Sequence, residues 1–318
     1  MSRAQKIVLT VSQIAPPMPP SFAIVSVPAG ASQVSWVDAY GESRQVAVWS
    51  CGVATRLRNL FQRASRPRTV RTSNMDEADD AFEVPFRRVK LSHERLGYAT
   101  EVCIPFRALH RPALRHNLEG QYYEPLSHLN FKRILDRKGN GSVIHAGAFY
   151  GDMLHTLSCS ASVVHAFEPV LENFVLARVN AMRMGLGNVR LQNAALSDAN
   201  TIVGIVTEQE DGRFAGGAST IADDDGRARE LVPAFRIDDL PLNDICLIHL
   251  DIEGHEASAL EGARRTIHRD RPVIMIEDNS GNCPPILSSL GYEHAFKRGG
   301  LSYWATETDI AFVKTLVR

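Results

Sequence analysis

From Ser142 onward the sequence predicts an α/β fold with a largely parallel sheet and helices on both faces. Three observations predict it. Short apolar runs alternate with stretches of helical periodicity. The first run ends in a glycine turn. The second ends in an acid, Glu168, that lies 21 residues beyond the first glycine of that turn, Gly147.

Residues 142–146 (SVIHA) read as a buried strand, residues 147–151 as a tight turn, and a helix is expected to reach about Ser160. Residues 163–167 (VVHAF) form the second strand. Leu171, Phe174, Val175, Val179 and Met182 then fall on one helical face, and Gly185 and Gly187 mark its end. Further strands are expected over residues 189–193, 246–251 and 273–276, with one helix over 256–268. Residues 302–305 and 310–313 read as a closing hairpin.

Upstream, residues 1–120 predict a mostly β accessory region ahead of a domain at 121–318. Candidate strands lie at 7–11, 22–27 and 45–49, punctuated by Pro16, Pro17, Pro19 and Pro20. The polar, acidic stretch 72–80 (TSNMDEADD) reads as a loop or linker. This region shows no internal repeat and no catalytic motif.

Of 318 residues, 44% are hydrophobic and 22% charged, which is ordinary for a globular chain that can bury a full core. Thirty-five basic side chains against 36 acidic ones give no bias toward nucleic acid or an anionic membrane. No apolar run reaches the roughly 18 residues of a membrane span, and the first residues do not fit a signal peptide. The five cysteines, Cys51, Cys103, Cys159, Cys246 and Cys283, are scattered and never in a CxxC pair. That argues against a disulfide framework or zinc site and for a reducing cytoplasm.

In a doubly wound sheet the ligand lies beyond the C-terminal strand ends. Gly147 lets the chain turn without a Cβ, and Gly151 lets the next helix pack close. Glu168 stands where a carboxylate can accept bonds from both ribose hydroxyls of an adenosine. The competing reading makes Glu168 a helix cap, with Pro169 stopping the strand. The spacing alone fits NAD or S-adenosylmethionine. The turn lacks the GxGxxG cradle for a pyrophosphate, and no Tyr-x-x-x-Lys pair stands in this half, so a nicotinamide oxidoreductase is disfavoured.

A longer set of motifs carries a family resemblance. In order these are GQYYEP (120–125), VIHAGAFYGD (143–152), HAFEP (165–169) with Glu172-Asn173, NAALSD (193–198) and RIDDLP (236–241). IHLDIEGHE (248–256), LEGA (260–263) and PVIMIE (272–277) follow. The chain here resembles the FkbM-type methyltransferases. The resemblance implies a Rossmann-like class I methyltransferase sheet and transfer of a methyl group from S-adenosylmethionine to a hydroxyl of a sugar or natural product. It implies that Gly147 and Gly151 line the cofactor's amino-acid end and Glu168 meets its ribose, with His145, Phe149, Asp152, Pro169 and Asp251 also in the cofactor site. Asn193, Ala194 and Ala195 would lie beside adenine, and Tyr123 would close over the methionine end. The family's first motif usually has Asp where this chain has His145 and Asn where it has Phe149. Loss of that carboxylate keeps a second reading open, a degenerate methyltransferase fold serving as a binding or scaffold module.

For the chemistry, Asp251, Glu253 and His255 gather at one strand end. His255 is the preferred general base because imidazole titrates near neutrality. Asp251 could replace it, or orient substrate or cofactor. Glu277 on the neighbouring strand could complete an oxygen-rich site for Mg²⁺ with Asp251 and Glu253. Plainer readings put His255 in a helix cap, Glu253-Gly254 in a simple turn and Glu277 in a pair with Arg271. The basic stretch His110, Arg111, Arg115 and His116 reads by default as solvated surface. The loop 211–225, with Gly216-Gly217, could close over a hydroxylated small-molecule acceptor. Association into homo-oligomers is compatible with the sequence.

Overall fold

A computed structural model describes residues 5–10, 23–24, 33–37, 43–47, 81–222 and 227–317, with side chains from Val84 onward. The chain divides into two compact units, Met1–Ile7 with Glu83–Arg318, and Val8–Phe82. Strand β1 (Gln5–Thr10) runs across that division. The smaller unit holds an antiparallel sheet of β2 (Ala23–Ile24), β3 (Gln33–Val37) and β4 (Ser43–Ala47). Strands β1, β2 and β4 overlap the three expected ones, and β3 has no expected counterpart. The prolines at 16–20 and the acidic stretch 72–80 lie outside the described residues.

The larger unit opens with an antiparallel pair, β5 (Ala81–His93) and β6 (Tyr98–Pro105). Helices α1 (Pro112–Leu118) and α2 (Pro125–Lys138) follow, each with proline in its first turn, where no N–H is needed. The chain then enters a seven-stranded sheet. Its strands are β7 (Ser142–Ala146), β8 (Val164–Phe167), β9 (Val189–Gln192), β14 (Ile245–Leu250), β15 (Val273–Ile276), β16 (Glu293–Arg298) and β17 (Leu301–Ala305). The order across the sheet is β16-β17-β15-β14-β7-β8-β9. The five strands from β15 to β9 are parallel, and β17 and β16 close the edge antiparallel. Every residue of β7, β14 and β15 is buried, which is why they read as continuous apolar runs.

The chain starts in mid-sheet at β7, winds outward through β8 and β9, then returns to β14 on the other side. That reversal leaves a crevice at the C-terminal ends of β7 and β14. Helices α3 (Leu154–Ser160) and α4 (Leu171–Arg183) make the first two crossovers. On one face Ile144, Ala146, Ile248 and Leu250 pack with Ala259, Leu260, Ala263 and Ile267 in a single core. The other face carries His145 and His249 under Phe131 of α2.

Three elements differ from expectation. The helix expected over 256–268 is two, α5 (Glu256–Glu261) and α6 (Arg264–Asp270). At the break, a Cβ on Gly262 would lie 2.0 Å from the Ser197 carbonyl oxygen, so the chain passes too close for any side chain. The expected closing hairpin does not form. Strand β17 pairs instead with β16, and residues 310–313 lie in α8 (Glu307–Lys314), beyond α7 (Cys283–Ser289). Glu307 and Asp309 in the first turn favour that helix, and Ile310 and Val313 share its buried side. Finally, a second sheet of β10 (Ala195–Leu196), β13 (Glu230–Phe235), β11 (Thr201–Val206) and β12 (Thr220–Ile221) was not expected, and β12 falls within the loop expected over 211–225. No helix among the described residues is long and apolar enough to cross a membrane.

Candidate functional site

The crevice is assembled from four loops. After β7, Gly147 turns with φ +82°, and a Cβ there would sit 1.8 Å from the Asp251 carbonyl oxygen. The first loop therefore lies directly against the β14 exit, tied to it by the Asp251 amide donating to the Ala146 carbonyl at 3.1 Å. The Gly147 and Ala148 amides donate to Phe167 at the end of β8. Phe149 holds a left-handed φ of 49°, which turns its amide onto Glu168 Oε2 at 2.7 Å. Gly151 allows α4 to approach: a Cβ would lie 3.1 Å from the Ala177 Cα.

Glu168 is buried. Its Oε1 accepts from the Val170 amide at 3.0 Å and from Asn173 Nδ2 at 3.3 Å. Burial raises its carboxyl to about 7, against the lowering pull of those amide donors. The helix-start contact proposed as an alternative is thus present, together with the bond that holds the glycine turn. Three donors leave part of the carboxylate's accepting capacity free. Beside it lies a partly open cavity lined by Gly147, Glu168, Pro169, Ala194, Ala195, Asp251, Glu253 and His255. Its far wall comes from the second sheet and the loop before it, through Ile205, Gly216, Gly217, Ser219, Thr220 and Ile221.

At the β14 exit, burial and the hydrogen-bonded Glu277 carboxylate push the Asp251 carboxyl well up, with Glu253 and Glu124 adding to the effect. Burial, and Glu277 after it, also raise Glu253, against the pull of Arg111. The turn that carries Glu253 (φ 54°) and Gly254 (φ 97°) is held by Glu256, which is fully buried. Its Oε1 accepts from the Ile252 amide at 3.0 Å and from the Gly254 amide at 3.2 Å. His255 is the first residue flanking α5, but its ring makes no capping bond. The ring turns to Ser197, with Nε2 to Oγ at 2.9 Å.

Several residues expected in the site stand behind it. The His145 ring is buried on the α2 side of the sheet, its Nδ1 2.9 Å from His249 Nδ1. Asn193 Nδ2 donates to the Glu168 and Pro169 carbonyls at 2.9 and 2.8 Å, pinning the β8 exit. The Phe149 ring lies under Gly216 and Gly217. Asp152 stands near the Tyr150 hydroxyl, its carboxyl raised by burial to about 6. Half-buried Tyr123 has its hydroxyl raised first by burial, then by Glu124, Glu277 and Asp251. Glu277 does not pair with Arg271, whose Nη1 donates to the Leu290 carbonyl. Arg115 and His116 are exposed, as the default reading expects, while half-buried Arg111 acts electrostatically on Glu253 and Tyr123. Residues 223–226 of the glycine loop lie outside the described residues.

Sequence reasoning missed Ser197, Glu256, Glu124 and the wall of the second sheet. Glu256 carried a signal, since an acid just after a strand-end glycine is placed to accept the turn's amides. Ser197 carried one in NAALSD, where serine precedes an acid on the chain leaving the cavity. Among the described residues no group of three or more His, Cys, Asp or Glu side chains is arranged to hold a metal ion. The Mg²⁺ site expected from Asp251, Glu253 and Glu277 is therefore not formed. Glu277 crowds Asp251 and Glu253 and, after burial, pushes both carboxyls up.

Residues 145–293 match the family model of the methyltransferase FkbM domain. No curated protein matches the chain. Among solved structures, it is similar to methyltransferase FkbM from Methylobacillus flagellatus KT, at 17% identity and TM-score 0.39, over 60% of this chain and 52% of that one. The chain thus spans about half the length of that protein. It is also similar to a SAM-dependent methyltransferase from Aquifex aeolicus, at 14% identity and TM-score 0.32, over 57% of this chain and 97% of that one. A third likeness is to a T. thermophilus 16S rRNA N2 G1207 methyltransferase in complex with AdoMet and guanosine. There the identity is 13% and the TM-score 0.38, over 70% of this chain and 50% of that one.

Proposed function

We propose, from the premise that residues 145–293 are a methyltransferase FkbM domain, that this protein transfers a methyl group from S-adenosylmethionine to a hydroxyl of a sugar or natural-product small molecule. One observation carries the reading. A partly open cavity lies at the reversal of the sheet, with a buried acid, Glu168, on one side and His255, Asp251 and Glu253 on another. The residues fit the cofactor. Glu168 has accepting capacity left for ribose hydroxyls, and Ala194, Ala195, Ile205 and Ile221 offer apolar surface to adenine. The crowded carboxyls of Asp251, Glu253, Glu277 and Glu124 favour a cationic guest over an anionic one. Gly147, which lines the cavity, is assigned with Gly151 and Tyr123 to the amino-acid end.

S-adenosylmethionine, when bound, supplies a methyl carbon already activated by the positive charge on its sulfur. The protein's own task is to hold the acceptor oxygen in line and take its proton. His255 is the group suited to that. Burial lowers its basicity and the Asp198 carboxylate restores part of it, so it is neutral and available near pH 7. Asp251 is a poorer candidate, because burial and the neighbouring Glu277 carboxylate push its carboxyl well up. His145 does not line the cavity, so its departure from the family's usual Asp leaves the crevice lining intact. The free thiols Cys103, Cys159, Cys246 and Cys283 suit a reducing compartment, the cytoplasm.

The test is isothermal titration of S-adenosylmethionine into the protein and into Glu168→Ala, each checked for a cooperative melt, then methyl transfer to a panel of methyl glycosides. Micromolar binding that Glu168→Ala loses supports the reading. A folded wild type that takes up no cofactor would overturn it and favour the scaffold alternative.

A further inference from the structure

Ser197 and Asp198 follow β10, whose residues line the cavity, and neither itself lines it. Ser197 is buried, and its hydroxyl stands between two partners: His255 Nε2 at 2.9 Å and Asp198 Oδ1 at 3.1 Å. Counting donors decides the direction of both bonds. A carboxylate only accepts, so the single hydroxyl proton of Ser197 goes to Asp198. The Ser197 oxygen must then accept from His255, which places the imidazole proton on Nε2. Nδ1 keeps its lone pair.

We propose that Ser197 and Asp198 are positioning residues that fix His255 as the tautomer basic at Nδ1, so that Nδ1 takes the acceptor's hydroxyl proton. The proposal rests on His255 being the base of the methyl transfer. In that step the oxygen's electron pair forms the new bond to the methyl carbon, and the sulfur keeps the pair of the broken bond. The hydroxyl proton moves to Nδ1 and later leaves to water. Nothing moves along the Ser197–Asp198 chain. Its role is to orient the ring and to stabilise the positive imidazolium while it exists.

The arrangement is structurally secured. Gly262 passes the Ser197 carbonyl so closely that a Cβ would lie 2.0 Å from it, holding α5 and its first flanking residue, His255, against the β10 exit. The charged groups around the ring are Asp198 on one side and Asp251 and Glu253 on the cavity side. Glu256 lies beyond, engaged with the Ile252 and Gly254 amides. Among these, only Asp198 reaches the ring through a hydrogen-bonded hydroxyl.

The test reads the imidazole directly, without acceptor. Nitrogen-15 spectra of the full chain are recorded across pH, and the His255 signals are assigned by their loss in His255→Gln. The expected result is a protonated Nε2 and an unprotonated Nδ1 in the neutral ring. In Ser197→Ala that preference collapses to a mixture of tautomers, and in Ser197→Thr, which keeps the hydroxyl, it is restored. In Asp198→Asn the ring titrates at lower pH than in the wild type. A wild-type ring protonated at Nδ1, or a Ser197→Ala spectrum unchanged from wild type, would overturn the proposal. A His255→Gln variant that methylates the glycoside panel at full rate would sink the base assignment instead. The two failures are distinct, because the spectra report the tautomer whether or not the reaction runs.

Discussion

At the C-terminal ends of β7, β8 and β14 stand carboxyls: Glu168, Asp251 and Glu253. One pleat below, between the same sheet and α2, stand histidines: His145, His249 and His128. Both groups are buried, and burial pushes each toward its uncharged form, but the forms differ in what they ask of pH. A buried carboxyl becomes neutral by holding a proton, a buried imidazole by refusing one. Glu168 rises to about 7, whereas His128 falls to about 3 and His145 to about 4. Burial is the first cause in all of these. Like-charge crowding adds to it for His128, which faces His145, His93 and His155. The crevice carboxylate is met by amides, while His128, His145 and His249 each keep an Nε2 with no partner among the described residues. Equal burial therefore leaves one region with its carboxylate met by amide donors and the other with imidazole nitrogens unpartnered in an apolar layer.

The largest effect is expected from breaking the crevice alone. Gly147→Ala puts a methyl group 1.8 Å from the Asp251 carbonyl oxygen on a backbone of φ +82°. Strain of this kind costs roughly 1–3 kcal/mol, and displacing the β14 exit should weaken cofactor binding by about a hundredfold or more, roughly 2.7 kcal/mol. Gly187→Ala is the control, since a Cβ there meets nothing within 4 Å. Titration calorimetry and melting curves on both variants check this. Equal binding by the two would mean that the close approach at Gly147 does not govern the site.

A smaller effect sharpens the comparison through pH. Glu168, raised above its unfolded value, adds stability that is full below about pH 4.5 and is lost as pH rises through about 7. His128 and His145, lowered below theirs, add stability that is full above about pH 6.5 and is lost as pH falls toward 3 to 4. Between about pH 4.5 and 6.5 the two regions pull in opposite directions, each group at up to about 1.4 kcal/mol per pH unit. Two imidazoles outweigh one carboxyl by up to about 1.4 kcal/mol per pH unit, so urea midpoints in the wild type should rise across that range. His145→Asn should tilt the profile toward greater stability in acid, and Glu168→Gln toward greater stability near neutrality. Parallel profiles for all three proteins would refute the opposed roles.

The same contrast shows what could be read in the sequence. The strands flanking the crevice were legible because parallel strands buried on both sides are unbroken apolar runs, as in ICLIHL of β14. The Gly147 turn and Glu168 were legible because strand ends and glycines are local signals. His145 could have been assigned to the far side by parity, since it alternates with Ile144 and Ala146, which face the α5–α6 core. Residues 201–206 and 230–235 were not legible as strands. Their exposed and half-buried positions blur the apolar alternation, so the cavity wall carrying Ile205 was hidden. The Ser197–His255 contact joins residues 58 apart, and no local pattern encodes it.

Asn193 offers the finest distinction between lining a site and holding it in shape. The family resemblance sets it beside adenine, yet its Nδ2 is engaged by the carbonyls of Glu168 and Pro169, and only its neighbours Ala194 and Ala195 line the cavity. Two hydrogen bonds to a half-buried amide are worth roughly 1–3 kcal/mol in total. Asn193→Ala should thus lower the melting temperature by a few degrees, as expected for roughly 1–3 kcal/mol, and weaken cofactor binding by about tenfold or less. The cofactor should restore much of the lost stability, because binding selects the shaped loop. If the variant instead keeps its full melting temperature and loses more than about a hundredfold in affinity, Asn193 contacts the cofactor itself. The β8 exit would then have to open enough to release the amide from both carbonyls.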